Sequence, residues 1–377
     1  MMLNIQLTHH MPVDTQKSFR IRTGYERIVA QRAGDMYAVS AKMDGEVIAI
    51  DEKAGLFKVR YVDGSMEVYT FGEEYGICAD IVTTQKQELL VTVGQKFKKD
   101  EILCYNPQFF EKDPYSNQVD WKLGTPAKVA LVEIAGTYED SSTISKNFAE
   151  KISIQPVEIR DINLTTSNYI HKFAKLGDIV DINDPLLIFE NDQVSDMSSF
   201  NTTDNEALDY LVKLNRKTPK AKFAGTIVNI EVFSGCPYEE LNDSFKALYR
   251  EANRKRARRA EFAKDTKDFM LYPPVKTIPE GSKFKGVMFN RETVMIRYYI
   301  QETVLADVGS KIVIDSSMKS IISDILENSV STESGKEIDV IFSCSSISNR
   351  IVCSPLIEGI AESVMESLEK EITNMGI

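Results

Sequence analysis

Residues 308–323 read VGSKIVIDSSMKSIIS and predict a strand, a short loop and a second strand. This stretch carries Lys311 and Lys319, eight residues apart. A lysine ammonium is a compact point charge that suits phosphate, so two lysines on such a hairpin could hold adjacent phosphates. Because surface lysines are common, both residues can equally be read as solvated charges.

Strands and turns extend upstream of this hairpin. Asp63-Gly64 stands between two runs of alternating polar and apolar residues and predicts a hairpin, because glycine accepts a positive φ. Segments 93–103 and 176–187 share a pattern of glycine turn, short strand, acidic turn and short strand. This weak repeat suits small barrel or sandwich modules, although two copies can also arise by chance. Residues 191–206 are polar and predict an exposed loop or a linker.

Two segments have helical patterns. Residues 239–268 predict a helix whose section 246–264 concentrates lysines and arginines, among them Arg254 and Arg258. Such a section can be a solvated face, or it can contact nucleic acid or an acidic partner. At the C-terminus, apolar residues recur at spacings of three and four and predict a core face or a subunit interface. These residues are Ile357, Ile360, Ala361, Val364, Met365, Leu368 and Ile372. An exposed stripe of this kind also suggests that the chain does not fold well alone.

Composition narrows the class of protein. At about 100–200 residues per domain, 377 residues predict two or three domains. Hydrophobic residues at 43% and charged residues at 27% exclude a disordered or fibrous chain. The sequence has no long apolar run and no secretory signal pattern, so we expect no membrane span. The five cysteines form no CxxC pair, which favours a reducing compartment and excludes a zinc ribbon.

Charge and histidine content limit the chemistry. The net charge of −11 argues against a simple nucleic-acid coat, but it is compatible with a local basic channel. With only three histidines, the chain has no HExxH motif and no evident Ser/His/Asp set. Zinc hydrolases and serine hydrolases are therefore not expected.

Two further clusters could carry chemistry. Glu139 and Asp140 follow an apolar run and could reach a hydrated Mg²⁺ from a strand end, although such a pair is more often solvated surface. Asn349-Arg350 closes a serine-rich turn before the C-terminal helix. The arginine could hold a phosphate or simply cap the turn.

The order of these clusters resembles the C-terminal part of the β subunit of cellular-type, multisubunit DNA-directed RNA polymerase. The similar segments are collinear from about residue 20 to residue 372. They are 23–27 through 44–47 (TGMER…DG-V in the family), 94–103 (G-x₅-GDVL), 136–141 with 144–145 (GYNFEDS…VS), 225–233 (GTV…VQVF), 309–311 with 319–323 (GDK…NKGVIS), and 338–341 with 349–350 (VDIVLN…PSR).

The sequence also departs from the family. Residues 314–317 replace a Gly-Arg-His-Gly run between the two lysines, so that loop has a different backbone and lacks one cation. The family's N-terminal lobes and C-terminal clamp-anchoring segment are absent, and the flap-like segment is short. A truncated, divergent β of this kind resembles the split β subunits encoded by large bacteriophages.

The resemblance implies a mainly β fold with α insertions. It implies a double-psi β-barrel with barrel-sandwich-like modules, a flap-like helical insertion and a C-terminal hybrid-binding helix. The implied segments are an N-terminal β module at 1–75, the first part of the barrel at 76–165, the flap-like insertion at 166–270, the second part of the barrel at 271–326, and the hybrid-binding region at 327–377.

The implied activity is nucleotidyl transfer, in which the RNA 3′-hydroxyl attacks the α-phosphate of an NTP with two Mg²⁺ ions. The main Mg²⁺ belongs to an aspartate triplet of a β′-like partner, so this chain is expected to act only in complex. Lys311 and Lys319 would hold phosphates of the RNA 3′ end and the NTP. Arg350 would bind the triphosphate, and Glu139 and Asp140 would lie near the second Mg²⁺, through water.

The implied partners are β N-terminal-like and β′-like subunits, a promoter-specificity subunit, the DNA template, the RNA transcript and NTPs. Arg254 and Arg258 are the candidate nucleic-acid contacts of the flap-like helix, and the expected location is the host cytoplasm or the virion. Two alternatives stay open: an all-β structural or interaction protein with a basic arm, and a stand-alone metal-dependent nuclease or phosphotransferase that uses Glu139 and Asp140.

Overall fold

The structure is a computed structural model that describes residues 1–7, 13, 15–78, 81–190, 217–266, 275–315, 318–328, 330–349 and 353–376. It is mainly β, with 41% strand and 21% helix, which confirms the predicted class. The chain forms two compact units. Unit 1 comprises Met1–Ile50, Phe57–Gln155 and Thr303–Ile377, and unit 2 comprises Asp51–Leu56 and Pro156–Glu302.

The strands are numbered here in chain order. The first thirteen are β1 (Met2–Leu7), β2 (Ala38–Ser40), β3 (Gly45–Asp51), β4 (Leu56–Tyr61), β5 (Met66–Thr70), β6 (Gly72–Cys78), β7 (Ile81–Leu89), β8 (Lys96–Phe97), β9 (Ile102–Tyr105), β10 (Phe110–Lys112), β11 (Val119–Trp121), β12 (Thr125–Leu131) and β13 (Ser141–Ser145). Unit 2 supplies β14 (Pro156–Thr165), β15 (Tyr169–Phe173), β16 (Ile179–Val180), β17 (Leu187–Glu190), β18 (Gly225–Ser234), β19 (Val275–Thr277), β20 (Lys283–Phe284), β21 (Val287–Met288) and β22 (Thr293–Gln301).

The chain then returns to unit 1. Its last strands are β23 (Lys311–Ile314), β24 (Met318–Leu326), β25 (Val330–Ser331), β26 (Glu337–Ile338) and β27 (Val340–Phe342). The α-helices among the described residues are α1 (Tyr25–Arg32), α2 (Lys146–Lys151), α3 (Asp243–Phe262), α4 (Cys344–Ser348) and α5 (Ser354–Asn374).

Six strands of unit 1 close into a barrel in the order β1, β12, β27, β13, β24 and β23. The pairs β12–β27 and β13–β24 are parallel, and the other four pairs are antiparallel. Alternate side chains fill the barrel and form one core, as successive residues of a strand point to opposite faces. This core includes Leu3, Ile5, Ile144, Ile312, Ile314, Ile322, Val340 and Phe342, all fully or almost fully buried.

The predicted strand-loop-strand at 308–323 is confirmed as the hairpin of β23 and β24. Val313 pairs with Lys319 and Lys311 pairs with Ile321 in its antiparallel register. On the same strand as Lys311, Ile312 and Ile314 are buried in the barrel, whereas both lysines are exposed. The alternation of the sequence therefore decides that the lysines lie on the outer face of the barrel.

A second sheet of unit 1 has the order β5, β4, β3, β8. The hairpin predicted at Asp63-Gly64 connects β4 to β5, and Gly64 has φ +83°. Its backbone N–H donates to the carbonyl of Tyr61 at 3.0 Å. The left-handed backbone at this position is the reason that glycine is suited to it.

The two copies of the weak repeat also share their backbone hydrogen bonds. Gly94 in unit 1 has φ +80° and donates its N–H to Val47 at 2.8 Å. Gly177 in unit 2 has φ +91° and donates its N–H to Ile227, also at 2.8 Å. In each copy the facing residue donates back to the carbonyl of the residue after glycine, at 3.0 and 2.9 Å. The similarity of sequence is therefore matched by a similar glycine turn.

In unit 2, strands β16, β18, β22 and β14 are consecutive neighbours in one sheet, and β19 pairs with β18. Helix α3 confirms the helix predicted within 239–268. It begins after Asn242, whose side chain accepts hydrogen bonds from two backbone N–H groups of the first turn. Phe245, Leu248 and Ala252 are its buried apolar residues, and they join the main core of the unit. The basic residues are left on the other faces of the helix.

The observed units divide the chain differently from the five predicted segments. The barrel takes β1 from the segment at 1–75 and β27 from the segment at 327–377. Unit 2 begins at Pro156 and ends at Glu302, apart from Asp51–Leu56. The difference arises because strands from distant segments close one barrel, which a linear reading of the sequence does not reveal. The loop predicted at 191–206 lies outside the described residues.

Within the parts of the chain that the structure describes, no helix is long and apolar enough to cross a membrane. The longest helices are α3 and α5, and both carry several charged residues.

Candidate functional site

In the turn that carries Glu139 and Asp140, hydrogen bonds hold the backbone in place, and the side chains of these two residues are exposed. Thr137 is buried, and its hydroxyl accepts a hydrogen bond from the Ile134 N–H at 3.0 Å. The Ser141 hydroxyl donates to the Gly136 carbonyl at 3.1 Å. Glu139 has φ +52°, a left-handed conformation that bends the chain sharply. The turn therefore projects both carboxylates outward at the start of β13.

The barrel brings this turn beside the lysine hairpin. Ile321 of β24 lies between the two elements, because it pairs with Lys311 on one side and with Ser141 on the other. The Ile321 N–H also donates to the carbonyl of Asp140 at 3.1 Å. Lys319 precedes Ile321 by two residues on the same strand. Three adjacent strands thus place both lysines and the acidic turn on one outer surface.

Both lysines are available for an external ligand. Their side chains are exposed, and neither makes a hydrogen bond or ion pair with any other residue that the structure describes. In the register of the hairpin they are diagonal neighbours, for which Cβ atoms lie about 7–8 Å apart or somewhat less. Two ammonium groups at this spacing can contact two oxygens of one polyphosphate or of neighbouring phosphates.

The serine-rich segment before Arg350 is attached to the same turn. The hydroxyl of Ser346 in α4 donates to the carbonyl of Glu139. Ser343 and Ser345 donate three hydrogen bonds of 2.7–3.0 Å to the Glu133 carboxylate. These bonds lower the pKa of that carboxyl, since they favour its charged form. Arg350 itself lies outside the described residues.

Sequence reasoning missed the role of these serines. The run at 343–348 was visible as a turn, but its function as an anchor for α4 depends on Glu133, about 210 positions upstream along the chain. Only a search for buried or capped carboxylates in a folded structure could have identified this pair.

The residue that follows β23 is a buried carboxylic acid. Asp315 closes β23 with φ +48° and is 7% exposed. Burial, together with the charge and the hydrogen bond of Glu358 in α5, raises the pKa of Asp315 to about 6. Two carboxyl groups therefore meet at the end of β23.

The described residues offer few ligands for the Mg²⁺ ion expected from the sequence. Among the described residues, no group of three or more histidine, cysteine, aspartate or glutamate side chains could hold a metal ion. Glu139 and Asp140 are two exposed carboxylates on adjacent residues. Carboxylate oxygens suit Mg²⁺, which usually keeps several waters. The two residues fit an outer role toward a hydrated Mg²⁺ that other groups hold.

The candidate arginines of helix α3, Arg254 and Arg258, form ion pairs with acidic residues of unit 2. Arg258 donates from Nε to the two carboxylate oxygens of Asp51 at 2.9 and 3.2 Å, which lowers the pKa of that aspartate. An Nη atom of Arg254 lies 3.4 Å from the Glu251 carboxylate. Arg258 is therefore a structural ion-pair partner as well as a candidate contact for nucleic acid.

Comparison of the chain with family models and with curated proteins finds no match.

Proposed function

We propose that this chain is a subunit of a DNA-dependent RNA polymerase, equivalent to the C-terminal part of β, that acts only in complex. One observation supports this most strongly. The hairpin of Lys311 and Lys319 lies beside the turn of Glu139 and Asp140, although about 170 residues of chain separate them. The resemblance assigns all four residues to one reaction centre, and a protein without such a centre has no need to place them together.

The barrel is proposed to be of the double-psi type. Six strands with two parallel and four antiparallel pairs, contributed by both ends of the chain, are compatible with that architecture. The modules at β3–β5 and in unit 2 would then be its barrel-sandwich-like and flap-like parts. The finer assignment would be tested by an experimental structure of the assembled complex.

In the proposed mechanism, this chain contributes electrostatic positioning. Lys311 and Lys319 would neutralise phosphates of the RNA 3′ end and the NTP, which lowers the cost of bringing two anions together. Glu139 and Asp140 would accept hydrogen bonds from water on the second Mg²⁺, and Arg350 would bind the triphosphate. A β′-like partner would hold the main Mg²⁺, which activates the attacking 3′-hydroxyl when bound.

The proposal predicts the effect of removing each hairpin lysine. In the complex purified through a tag on this chain, Lys311→Ala or Lys319→Ala should lower NTP incorporation about tenfold or more at limiting NTP. The exposed Lys98, at the sheet of β3–β5 and β8, provides a matched control as Lys98→Ala. The subunit composition of the complex should be the same in all variants, because both hairpin side chains point away from the barrel core.

Two outcomes would contradict the assignment. If both hairpin variants incorporate NTP like the wild type while the complex is intact, the lysines do not hold phosphates. If the isolated chain hydrolyses nucleic acid with Mg²⁺ and loses that activity in Glu139→Gln, the stand-alone nuclease or phosphotransferase is the better reading.

The non-catalytic alternative is supported by a different observation, the apolar face that α5 leaves exposed. An all-β structural or interaction protein would need such a face and would not need NTPs. Recovery of the chain with virion shell proteins alone, and without NTP incorporation, would favour this function over the polymerase.

A further inference from the structure

The hairpin of β20 and β21 in unit 2 carries an aromatic ring that its neighbours hold in place. The two-residue turn of this hairpin, Lys285-Gly286, has φ +50° and +86°, which suits a tight hairpin. The ring of Phe284 packs beside that of Phe233 at a centroid distance of 4.7 Å, and it meets Phe289 edge-on at 6.3 Å. Phe284 is half-buried against the core that these residues form. Its position is therefore fixed by packing.

Two lysine side chains converge on this ring. The Nζ atoms of Lys276 in β19 and of Lys285 lie 6.0 and 5.9 Å from the centroid of Phe284. An aromatic ring attracts ammonium groups at this distance. Because both atoms lie close to one centroid, the two positive charges are at most about 12 Å apart. Lys283, next to Phe284 in β20, adds a third ammonium group to the same hairpin.

In the parts of the chain that the structure describes, these three lysines have no acidic partner. All are exposed, and none of their side chains makes a hydrogen bond or an ion pair with another described residue. Segment 275–290 contains the three lysines and one acidic residue, Glu280. The adjoining Arg291 is paired with Glu240 by two hydrogen bonds of 2.7 and 3.1 Å. Glu231 of β18 accepts a hydrogen bond from a tyrosine hydroxyl at 2.7 Å. The positive charge of the hairpin is therefore not neutralised by ion pairs.

Helix α3 adds further positive charge to this region. The helix is in contact with β19, and it carries seven lysines and arginines and three acidic residues. The whole chain has a net charge of −11, so this part of unit 2 differs in sign from the protein as a whole. An acidic protein repels anions over most of its surface, so a group of unpaired lysines indicates a place where an anion binds.

The composition of this surface favours nucleic acid over an acidic protein. The centres of protein–protein interfaces are depleted in lysine, whereas interfaces with nucleic acid are much more positively charged. Here the lysines are exposed and the ring that they contact is half-buried. Met288, opposite Lys283 in the hairpin register, is 64% exposed and can contact a base. Only a single strand presents the faces of its bases to such a side chain.

We propose that the surface formed by Lys276, Lys283, Phe284 and Lys285, which we call the Phe284 patch, binds the phosphate backbone of single-stranded nucleic acid. The two lysines at the ring contact neighbouring phosphates, and the ring keeps their ammonium groups in position. Backbone contacts of this kind do not depend on sequence. The proposal does not rest on the polymerase function, because it uses none of the residues assigned to the reaction centre.

The test measures the binding of a fluorescent oligouridylate of about 12 nucleotides to the full chain by fluorescence anisotropy, from about 50 to 200 mM salt. Lys276→Gln with Lys285→Gln should weaken binding about tenfold or more at the lowest salt. For a single strand, each lost phosphate contact lowers the steepness of log K against log salt by about 0.7. The double variant should therefore reduce this slope by about 1.4.

Two controls separate the patch from general electrostatic attraction. Lys98→Gln with Lys99→Gln changes two exposed lysines of unit 1 and gives the same net charge, so it should leave the affinity and the slope as in the wild type. A duplex of the same length should bind more weakly than the single strand, because its bases are stacked inside. Circular dichroism checks that each variant keeps the fold of the wild type.

Four results would overturn the proposal. Equal weakening by the patch and control variants would show that only the net charge matters. Equal or tighter binding of the duplex would exclude a single-strand site. A glutamate peptide that displaces the oligonucleotide as well as unlabelled oligouridylate would assign the surface to an acidic protein. Loss of binding in Lys311→Ala with Lys319→Ala, together with normal binding in the patch variant, would place the strand at the barrel and leave the polymerase function intact.

Discussion

Replacing Asp315 with asparagine should stabilise unit 1 above pH 6 and leave its stability almost unchanged near pH 4. Asp315 is 7% exposed and shares a hydrogen bond with Glu358. This bond needs a proton on one of the two carboxyl groups, and the two groups repel each other when both are ionised. Asparagine is similar in size and cannot ionise. It also tolerates the left-handed backbone that Asp315 adopts, with φ +48°.

The sign of the effect follows from the raised pKa. Asp315 titrates near pH 6 in the folded chain and near its usual 3.8 in the unfolded chain. Between these values the unfolded chain releases the proton first, so the wild type loses stability as pH rises. The interval corresponds to at most roughly 3 kcal/mol, at 1.36 kcal/mol per pKa unit. Because the pair titrates together and solvent relaxes it, we expect about 1–3 kcal/mol.

The assay is urea unfolding from pH 4 to pH 7.5, followed by the fluorescence of Trp121. This is the one tryptophan of the chain and lies in β11 of unit 1, the unit that contains Asp315. Urea is preferred because guanidinium salt would screen the charges. Glu358→Gln should give the same pH-dependent gain, because it removes the same repulsion from the other side.

Asp63 provides a control, because its pKa is shifted in the opposite direction from that of Asp315. Hydrogen bonds from Ser65 lower the pKa of the exposed Asp63, so Asp63→Asn should show no gain at neutral pH. Ionisation of Asp315 does not destabilise the folded chain if Asp315→Asn is no more stable than the wild type at pH 7, or if the difference between them is the same at pH 4 and pH 7.

Two further predictions concern packing and a buried ion pair. Gly136→Ala should destabilise unit 1 by about 1–3 kcal/mol in thermal unfolding, because its Cβ would overlap the buried hydroxyl of Thr143 in β13. Gly34→Ala should lower the free energy of unfolding far less, because there is open space around an added Cβ at this position. An equal loss of stability in the two variants would show that close packing at Gly136 is not the cause. Arg297→Met should destabilise unit 2 by about 2–4 kcal/mol, because it removes the bidentate partner of Asp161 at 2.6 and 2.7 Å. Arg291→Met breaks an exposed pair and should cost less than about 1 kcal/mol; a similar loss in both would refute the role of burial.

Local patterns in the sequence were sufficient for several elements. The sequence predicted the strand-loop-strand of β23 and β24, and the Asp63-Gly64 turn followed from the need for a positive φ. The apolar stripe of α5 followed from spacings of three and four, and helix α3 from the helical character of residues 239–268. These features depend on residues within one or two turns of each other, so their side chains and backbone preferences determine them directly.

The tertiary structure alone decided how these elements meet. The parallel pairing of β13 with β24 brings the acidic turn to the lysine hairpin, and it joins residues about 180 positions apart. Burial of Glu362 against Arg20 and Ile21 keeps the apolar stripe of α5 outward, although its period would equally suit a core helix. Barrel closure and buried polar contacts are set by the summed packing of distant segments. The periodicity within one segment indicates which face is apolar, but it does not indicate which other segment or protein packs against that face.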